Sequence, residues 1–360
     1  MIEKNLREKV ENLERIDFDE ALKLYRENDL LFLAHAARRI KESKSGKKIF
    51  YIINRHINLT NICSSNCPLC AFQCRSGDNR GYTLELDDVE KILNDFGAVK
   101  NLSEIHIVSA LHPEKNFAYY LEIIKLVKKK FPAVSINAFT PAEIVNFAQK
   151  ENKTFAEILT ALKSAGVDTL PGGGAEIFSP RVREIICPKK LSGAEWIEVM
   201  KNAHKLGIKT NASMMFGHVE TVEERIEHLI KIRELQDETG GFQAMLLFPF
   251  FPANTELGEK FNLRQVGAWE NLKMLALSRI ILDNIAHFKA FWVMLTLSIA
   301  QLALAFGADD LDGTIGEEKI IHAAGANENK NISRETLNEI ICEAGYIPVE
   351  RNGFYNQVAK

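Results

Sequence analysis

Four of the six cysteines of the sequence fall in one short segment, TNICSSNCPLCAFQC (residues 60–74). Cys63, Cys67 and Cys70 have the spacing C-x3-C-x2-C, which lets three thiolates face one side of a loop. Such thiolates could form disulfides, hold zinc or hold an iron–sulfur cluster. Zinc prefers a closed set of four ligands, usually from two C-x2-C pairs, and the sequence has no second pair. The spacing therefore favours a 4Fe-4S cluster held by three cysteines, with zinc as the alternative.

Cys74 leaves a further alternative open. As the last residue of C-x3-C-x2-C-x3-C it could ligate the fourth iron, and the centre would then only transfer electrons. Because the three-cysteine spacing is complete without it, we predict that Cys74 is a free thiol near the cluster. Cys187 and Cys342 stand alone in the sequence, and we predict that both are small buried hydrophobic residues.

A 4Fe-4S cluster with three cysteine ligands has one iron without a protein ligand. That iron can bind the amino and carboxylate groups of S-adenosylmethionine (SAM), and this cysteine spacing after the first strand of a barrel is the signature of the radical SAM superfamily. Leu69, just before the last cysteine, is predicted to shield the cluster from water. The metal ligands predicted for a SAM-dependent radical enzyme are thus Cys63, Cys67 and Cys70.

The order of strands and helices predicts the scaffold that must position this loop. Strand-like runs occur at residues 47–60, 104–110, 134–140, 166–172, 209–217, 241–250 and 287–295, with a weak eighth near 306–311. Amphipathic helical stretches separate them, which indicates a parallel sheet. The predicted fold class is α/β, a (β/α)8 TIM-type barrel. We predict an N-terminal helical extension (1–48), the barrel (49–325) and a C-terminal helical segment packed on the barrel (326–360).

Composition and charge narrow the setting in which the protein works. The chain has 360 residues, 46% hydrophobic and 26% charged, with a net charge of −3. A net charge this close to zero gives no electrostatic attraction of the whole protein to nucleic acid or to a membrane surface. The first residues are charged and lack the apolar core of a signal peptide, and the longest apolar run (290–308) is interrupted by polar residues. We predict a cytoplasmic protein with no nucleic-acid and no membrane partner.

The C-terminal ends of the predicted strands carry residues suited to binding SAM. LPGGGAEIF (170–178) has three glycines, which let the backbone approach a ligand, and a glutamate suited to ribose hydroxyls; a plain tight turn is the alternative. MMFGHVET (214–221) adds a glycine and a glutamate, although the glutamate could simply begin a helix. HIVSALHPE (106–114) has Ser109 and Ala110 where superfamily members often have two glycines. The predicted SAM contacts are Ser109, Gly172, Gly173, Gly174, Glu176, Gly217 and Glu220.

Fewer residues suggest contacts to a second substrate. His218 could donate a proton, and His112, Arg233 and Arg279 could hold carboxylates; packing or solvated ion pairs are the alternatives. The aromatic loop FPFFPANTEL (248–257) could wall a ring-shaped substrate or seal the barrel, while Glu143 has the spacing of a helix cap. The predicted catalytic residues are His218, Arg233 and His112.

From about residue 48 to 351 the sequence resembles the aminofutalosine synthases (aminodeoxyfutalosine synthases), radical SAM enzymes of the futalosine route to menaquinone. The resemblance lies in RHINLTNICSSNCPLCAF, LHPEKNFAYYLEII, INAFTPAEI, LPGGGAEIF, GHVETVEERIEHLIKIRELQDETGGFQAM, LDNIAHFKAFWVML and FGADDLDGTIGEEKIIHAAGA. The last of these resembles the synthases more than the related dehypoxanthine futalosine cyclases or deazaflavin-cofactor synthase subunits.

The resemblance implies a complete reaction. A reduced 4Fe-4S cluster would cleave SAM to methionine and a 5′-deoxyadenosyl radical, which would add to the enol double bond of 3-[(1-carboxyvinyl)oxy]benzoate. Rearrangement onto the ring and loss of the carboxylate would give aminodeoxyfutalosine, so that SAM is consumed as a co-substrate. The resemblance also implies an electron donor such as flavodoxin or ferredoxin. Two alternatives stay open: a hydrogen-abstracting radical SAM enzyme such as the cyclase, and a non-catalytic iron–sulfur or zinc protein.

Overall fold

The computed structural model describes residues 4–326, 328 and 331–358. The strands are β1 (Lys48–Ile52), β2 (Asn54–Asn58), β3 (Glu104–Val108), β4 (Ser135–Asn137), β5 (Thr169–Leu170), β6 (Lys209–Phe216), β7 (Phe242–Pro249), β8 (His287–Lys289), β9 (Asp310–Gly313) and β10 (Ile347–Glu350). They form one sheet in the order β10-β1-β9-β8-β7-β6-β5-β4-β3-β2, and every strand pair in it is parallel.

Helices surround this sheet and connect its strands. They are α1 (Lys4–Glu11), α2 (Phe18–Glu27), α3 (Leu30–Ser45), α4 (Leu86–Phe96), α5 (Phe117–Lys130), α6 (Pro141–Glu151), α7 (Phe155–Ala165), α8 (Pro180–Ile186), α9 (Gly193–Lys205), α10 (Val222–Thr239), α11 (Glu256–Phe261), α12 (Ala268–Ile281), α13 (Trp292–Leu295), α14 (Leu297–Ala303), α15 (Ile320–Ala323) and α16 (Arg334–Glu343), with a 3-10 turn at Leu304–Phe306. Searched over the described residues, no helix is long and apolar enough to span a lipid bilayer.

The sheet curls on itself because one stretch of chain lies at both of its ends. Only Ile53 separates β1 from β2, yet β1 pairs with β9 and β2 pairs with β3. The Ile53 carbonyl accepts from Ser103 N at 2.8 Å on one side, while the Ile52 carbonyl accepts from Thr314 N at 3.1 Å on the other. With β1 and β2 taken as one strand, seven of the eight predicted runs contain a barrel strand, and the weak eighth run overlaps only the first two residues of β9. The predicted α/β barrel with an N-terminal helical extension is thereby confirmed.

Two elements differ from the sequence prediction. The predicted strand at 287–295 ends at Lys289, and α13 begins at Trp292, because the apolar residues there pack as a buried helical turn. The sequence also did not predict β10, which adds a strand beside β1 within the segment expected to be helical. Pro348 lies in β10 and cannot donate a ladder hydrogen bond, and its position on an edge strand accommodates that loss.

The residues after β10 close the N-terminal end of the barrel. Arg351 Nε lies 2.6 Å from Asp310 Oδ2, and both side chains are buried. Tyr355 stacks on His287 with ring centroids 3.8 Å apart, at the start of β8. The Gly353 carbonyl accepts from Gln243 Nε2 at 3.3 Å, near the start of β7. Ligands must therefore enter from the opposite end, where the cysteine segment lies.

Candidate active site

A cavity of about 300 Å³ lies at the C-terminal ends of the barrel strands. One part of its wall comes from the cysteine loop and the loops after β3 and β5, and a second part is apolar. A third part consists of polar side chains within the strands themselves. Because parallel strands of a barrel all point to one end, this is where the fold brings distant loops together.

The cysteine loop presents Cys63, Cys67 and Cys70 to the cavity. Backbone hydrogen bonds hold it in shape: Cys70 N donates to Cys67 O at 3.0 Å, and Cys63 N donates to Cys74 O at 2.9 Å. Burial raises the pKa of Cys67 to about 12 and also raises that of Cys70. These thiols would therefore lose their protons as metal binds, which couples metal loading to proton release.

The donor chemistry of the three thiols fits an iron–sulfur cluster. A cubane takes one thiolate on each of three irons, and the three cysteines of the C-x3-C-x2-C spacing all line the same cavity. Among the described residues, no group of three or more histidine, cysteine, aspartate or glutamate side chains is gathered as a site for a single metal ion.

Cys74 lies on the other side of the loop. It lines a second cavity of about 320 Å³, and its Sγ accepts from Asn61 Nδ2 at 3.3 Å. This placement favours the prediction of a free thiol. Cys187 is buried as predicted, whereas Cys342 is exposed on α16, so the prediction of burial was wrong for Cys342.

The three glycines and Glu176 all line the cavity. A Cβ on Gly172 would lie 2.7 Å from Asn211 O, and Gly174 has a φ of +87°, so this turn depends on glycine for packing as well as for access. Glu176 Oε1 lies 2.5 Å from the Nζ of Lys190, a residue that the sequence analysis missed. Burial alone would raise the pKa of Glu176, but the Lys190 ammonium lowers it, so the carboxylate is charged and can accept from hydroxyls.

Ser109 also lines the cavity, next to Ala110. Its backbone N–H donates to Glu143 Oε1 at 2.7 Å, while Glu143 Oε2 accepts from Thr140 N at 2.7 Å. Glu143 thus forms the capping box of α6, as the spacing predicted, and in addition fixes the loop after β3. Burial raises the pKa of Glu143 to about 8.

Gly217, His218 and Glu220 do not line the cavity. The Glu220 carboxylate accepts from Gly217 N at 2.6 Å and lies 2.7 Å from both His218 Nδ1 and Arg225 Nε. Burial would raise the pKa of Glu220, but the hydrogen bond from His218 and the nearby cations lower it to about 2. These contacts organise the loop before α10, so the roles predicted for the three residues have no support from the cavity wall.

His112, Arg233 and Arg279 also lie outside the cavity wall, so the cavity gives no support for the carboxylate-binding roles predicted for them. His112 Nδ1 accepts from Glu114 N at 3.1 Å, which caps the turn before α5. Arg233 donates to Ile16 O at 2.8 Å and ties α10 to the N-terminal extension. Arg279 donates to Ala286 O at 3.1 Å. In each case the protein backbone uses part of the hydrogen-bonding capacity of the side chain, although Arg279 Nε is buried without a partner among the described residues. Of the three phenylalanines in the aromatic loop, only Phe248 reaches the cavity.

The polar residues within the strands were missed by the sequence analysis. The rings of His56 and His106 stack with centroids 4.7 Å apart, and Asn137 Nδ2 lies 3.1 Å from His106 Nδ1. Lys289 Nζ lies 3.0 Å from Asp312 Oδ1. The signal was the alternation of polar residues within otherwise buried strands, as in NRHIN and EIHIV. Such residues point to the inside of a barrel once the register is known.

Two family models match the sequence: the radical SAM superfamily over residues 57–232 and the CofH/MqnC C-terminal region over residues 239–359. The chain is 40% identical to an aminodeoxyfutalosine synthase of Thermus thermophilus over 98% of this chain and 94% of that protein. The chain is 38% identical to an aminodeoxyfutalosine synthase of Streptomyces coelicolor, over 98% of this chain and 93% of that protein. It is also 41% identical to 5-amino-6-(D-ribitylamino)uracil–L-tyrosine 4-hydroxyphenyl transferase 1 of Methanosarcina barkeri, over 89% of this chain and 85% of that protein.

Solved structures share the fold at lower identity. Methylornithine synthase (PylB) superposes with a TM-score of 0.76 at 15% identity, covering 95% of this chain and 97% of that chain. The FeFe-hydrogenase maturase HydG from Carboxydothermus hydrogenoformans superposes with a TM-score of 0.73 at 18% identity, covering 98% of this chain and 80% of that chain.

Proposed function

The chain belongs to the radical SAM enzymes, in the family that contains the aminodeoxyfutalosine synthases, and we propose that it catalyses the synthase reaction. In this proposal the 5′-deoxyadenosyl group of SAM is joined to the enol carbon of 3-[(1-carboxyvinyl)oxy]benzoate. Rearrangement and loss of the enol carboxylate give aminodeoxyfutalosine for menaquinone biosynthesis. The observation that carries the proposal is the likeness to two synthases along nearly the full length of both chains.

We propose that Cys63, Cys67 and Cys70 hold three irons of a 4Fe-4S cluster and leave the fourth iron to the amino and carboxylate groups of SAM. The fit is supported by the three thiols, which all line one cavity together with the glycine turn. When bound and reduced, the cluster supplies the electron that cleaves SAM and generates the adenosyl radical. Ser109, Gly172, Gly173, Gly174 and Glu176 border the same part of the cavity and are the SAM contacts that we retain.

The remaining side chains position the second substrate and exclude water. Leu246, Phe248, Phe291 and Met294 give apolar walls for an aromatic ring, and Phe248 and Phe291 meet edge to face with centroids 6.2 Å apart. Holding the enol carbon against the adenosyl carbon makes the addition effectively intramolecular, which is a large source of acceleration. The apolar walls protect a carbon radical from side reactions.

The proposal includes an electron donor such as flavodoxin or ferredoxin, because SAM cleavage needs a reductant. It also places the reaction in the cytoplasm, where cysteine ligands stay reduced.

A second candidate function comes from the archaeal relatives. The 41% identity to the Methanosarcina barkeri transferase is as high as that to the synthases, so a reaction on tyrosine is the competing assignment. A hydrogen-abstracting reaction of the cyclase type is a further alternative, because it would use the same cluster and SAM.

The test is anaerobic incubation of the reconstituted enzyme with reductant, SAM and 3-[(1-carboxyvinyl)oxy]benzoate, followed by mass spectrometry. The synthase assignment predicts a product that contains the adenosyl group covalently joined to the benzoate, one methionine released for each product. Free 5′-deoxyadenosine as the main adenosyl product would contradict the assignment. A parallel incubation with tyrosine and 5-amino-6-(D-ribitylamino)uracil tests the competing transferase.

A further inference from the structure

The polar side chains inside the barrel lie deeper than the parts of the cavity assigned to SAM. On β6 Asn211 precedes Met215, and on β8 Lys289 precedes Phe291 just beyond the strand, so in both cases the polar residue lies farther from the cysteine loop. All strand pairs are parallel, so this order along the chain is also an order of depth. Asn211 and Lys289 therefore mark an inner end that is deeper than Met215 and Phe291, and Leu246, the register partner of Lys289, brings an apolar side chain to the same level.

Two lysines are found among the described residues that line the cavity, and they lie at different ends of it. Lys190 belongs to the cofactor end, where its ammonium pairs with Glu176. Lys289 belongs to the inner end and is almost completely buried. Burial lowers the pKa of both His56 and His106, so the two imidazoles are neutral near pH 7. Lys289 is then the cationic side chain that lines this end of the cavity, beside the carboxyl groups of Asp312 and Glu104, while Arg351 lies behind Asp312.

Lys289 can bind an additional anion without leaving its own partner unpaired. Of its three N–H donors, the contacts among described residues account for one, to Asp312 Oδ1 at 3.0 Å. Asp312 has a second cation in Arg351, whose Nη2 lies 3.9 Å from Asp312 Oδ1. The same Nη2 is buried and has no hydrogen-bond partner among the described residues. The Asp312 carboxylate therefore remains paired if Lys289 turns toward a ligand.

The two buried amides that line the cavity, Asn137 and Asn211, offer a carboxylate less than Lys289 does. Asn137 Nδ2 lies 3.1 Å from His106 Nδ1, and the Oδ1 atoms of both amides are acceptors without hydrogen-bond partners in the described part of the chain. A carboxylate has no hydrogen to donate to these oxygens, so Lys289 is the group that would bind it.

We propose that Lys289 binds the carboxylate of the aromatic ring and thereby directs the enol end of the substrate toward the cysteine loop. This inference rests on the proposed function. The ring carboxylate is the one that the product retains, and it lies at the opposite end of the molecule from the vinyl carbon that must meet SAM. An aromatic acid held in this orientation has its ring between the apolar walls.

The test uses the reconstituted holoenzyme and two unreactive probes, 3-[(1-carboxyethyl)oxy]benzoate and the corresponding benzamide, whose affinities are measured by anaerobic calorimetry. We expect the wild type to bind the benzoate more tightly than the benzamide. Lys289→Met should weaken binding of the benzoate about 10- to 100-fold and binding of the benzamide less than about threefold, as expected for loss of a charged hydrogen bond. Lys289→Arg should retain most of the preference for the acid.

Lys41→Met is the matched control, because Lys41 is also a buried lysine but lies over the Tyr346 ring, away from the cavity. It should leave both affinities unchanged. If Lys289→Met does not fold, the double variant Lys289→Gln/Asp312→Asn removes the pair as a neutral unit and takes its place. An unchanged acid-to-amide preference in a folded Lys289 variant overturns the inference while leaving the proposed function intact. Wild-type enzyme that binds neither probe and does not convert the enol ether contradicts the proposed function itself.

Discussion

The backbone N–H of Ser109 donates a 2.7 Å hydrogen bond to Glu143 Oε1, which joins the loop after β3 to the first turn of α6. This contact fixes the loop through a backbone group, so it does not depend on which side chain stands at position 109. The N–H of Ser109 is used within the protein, so any contact from Ser109 to SAM must come from its carbonyl or hydroxyl group.

Glu143→Ala should destabilise the protein by about 3 kcal/mol, because it leaves the buried donors of Ser109 and Thr140 without an acceptor. Glu143→Gln should cost less, since one amide oxygen remains. The control is Glu157→Ala, which removes the same capping box from the exposed start of α7 and should cost at most about 1 kcal/mol. Chemical unfolding monitored by circular dichroism gives these values.

The same residue predicts a dependence of stability on pH. Burial raises the pKa of Glu143 in the folded protein to about 8, above its value in the unfolded chain. The folded state therefore binds the proton more tightly, and this contribution to stability is full below the unfolded pKa and is lost as the pH rises toward 8. We expect Glu143→Gln to flatten the fall in stability between pH 5 and 9. A slope equal to that of the wild type would contradict the assigned cause.

Cys63→Ala should abolish both the cluster and SAM cleavage, whereas Cys74→Ala should retain both. The reason is that Cys63 faces the main cavity and Cys74 faces the second one, hydrogen-bonded to Asn61. Iron and sulfide content, the visible absorbance and methionine release after anaerobic reconstitution measure the outcome. Loss of the cluster in Cys74→Ala would show that Cys74 supplies the fourth ligand.

Glu220→Gln should lower stability at pH 7 by about 2 kcal/mol, because it removes a buried carboxylate paired with His218 and Arg225. The folded pKa of Glu220 is about 2, below that of an unfolded glutamate. Its contribution is therefore present above the unfolded pKa and is lost as the pH falls toward 2. Unfolding experiments from pH 7 down toward 2 should show the two proteins converging below the pKa of an unfolded glutamate. A variant of wild-type stability with weakened SAM binding would instead restore the ligand role predicted from the sequence.

Arg351→Met should destabilise the protein by about 3–5 kcal/mol, because Asp310 would remain buried without its cation. Arg7→Met is the matched control, since Arg7 pairs with Asp29 at 3.0 Å where both side chains are about 42% exposed. The control should cost no more than about 1 kcal/mol. A similar small loss in both variants would show that the residues after β10 contribute little to closing the barrel.

The sequence was sufficient for elements whose pattern is local. The cysteine spacing, the glycine triplet and the long apolar strands each follow from neighbouring residues. β10 was missed because four residues that include a proline give no clear period, and the strand is stabilised by pairing with β1. Its position depends on residues nearly the whole length of the chain away.

The inner end of the site could not be predicted, because its residues come together only through the register of the barrel. His56 and His106 lie opposite each other on β2 and β3, although about fifty positions separate them in the chain. Arg233 and Arg279 illustrate the reverse difficulty. Their charge suggested a substrate carboxylate, but each donates to carbonyl groups of the protein and neither lines the cavity, and no local pattern distinguishes these two roles.

The pairing of β1 with β9 and β10 has a consequence for biosynthesis. Phe50 pairs in register with Asp310, and Tyr51 pairs with Glu350. During synthesis, β1 therefore leaves the ribosome long before β9 and β10 have been translated. Until β9 and β10 are available, the apolar strand β1 has unpaired backbone groups that could pair with other polypeptides. Closure of the barrel thus depends on contacts between residues that are far apart in the sequence. Conditions that slow translation of the C-terminal part or delay release from chaperones should increase aggregation through β1.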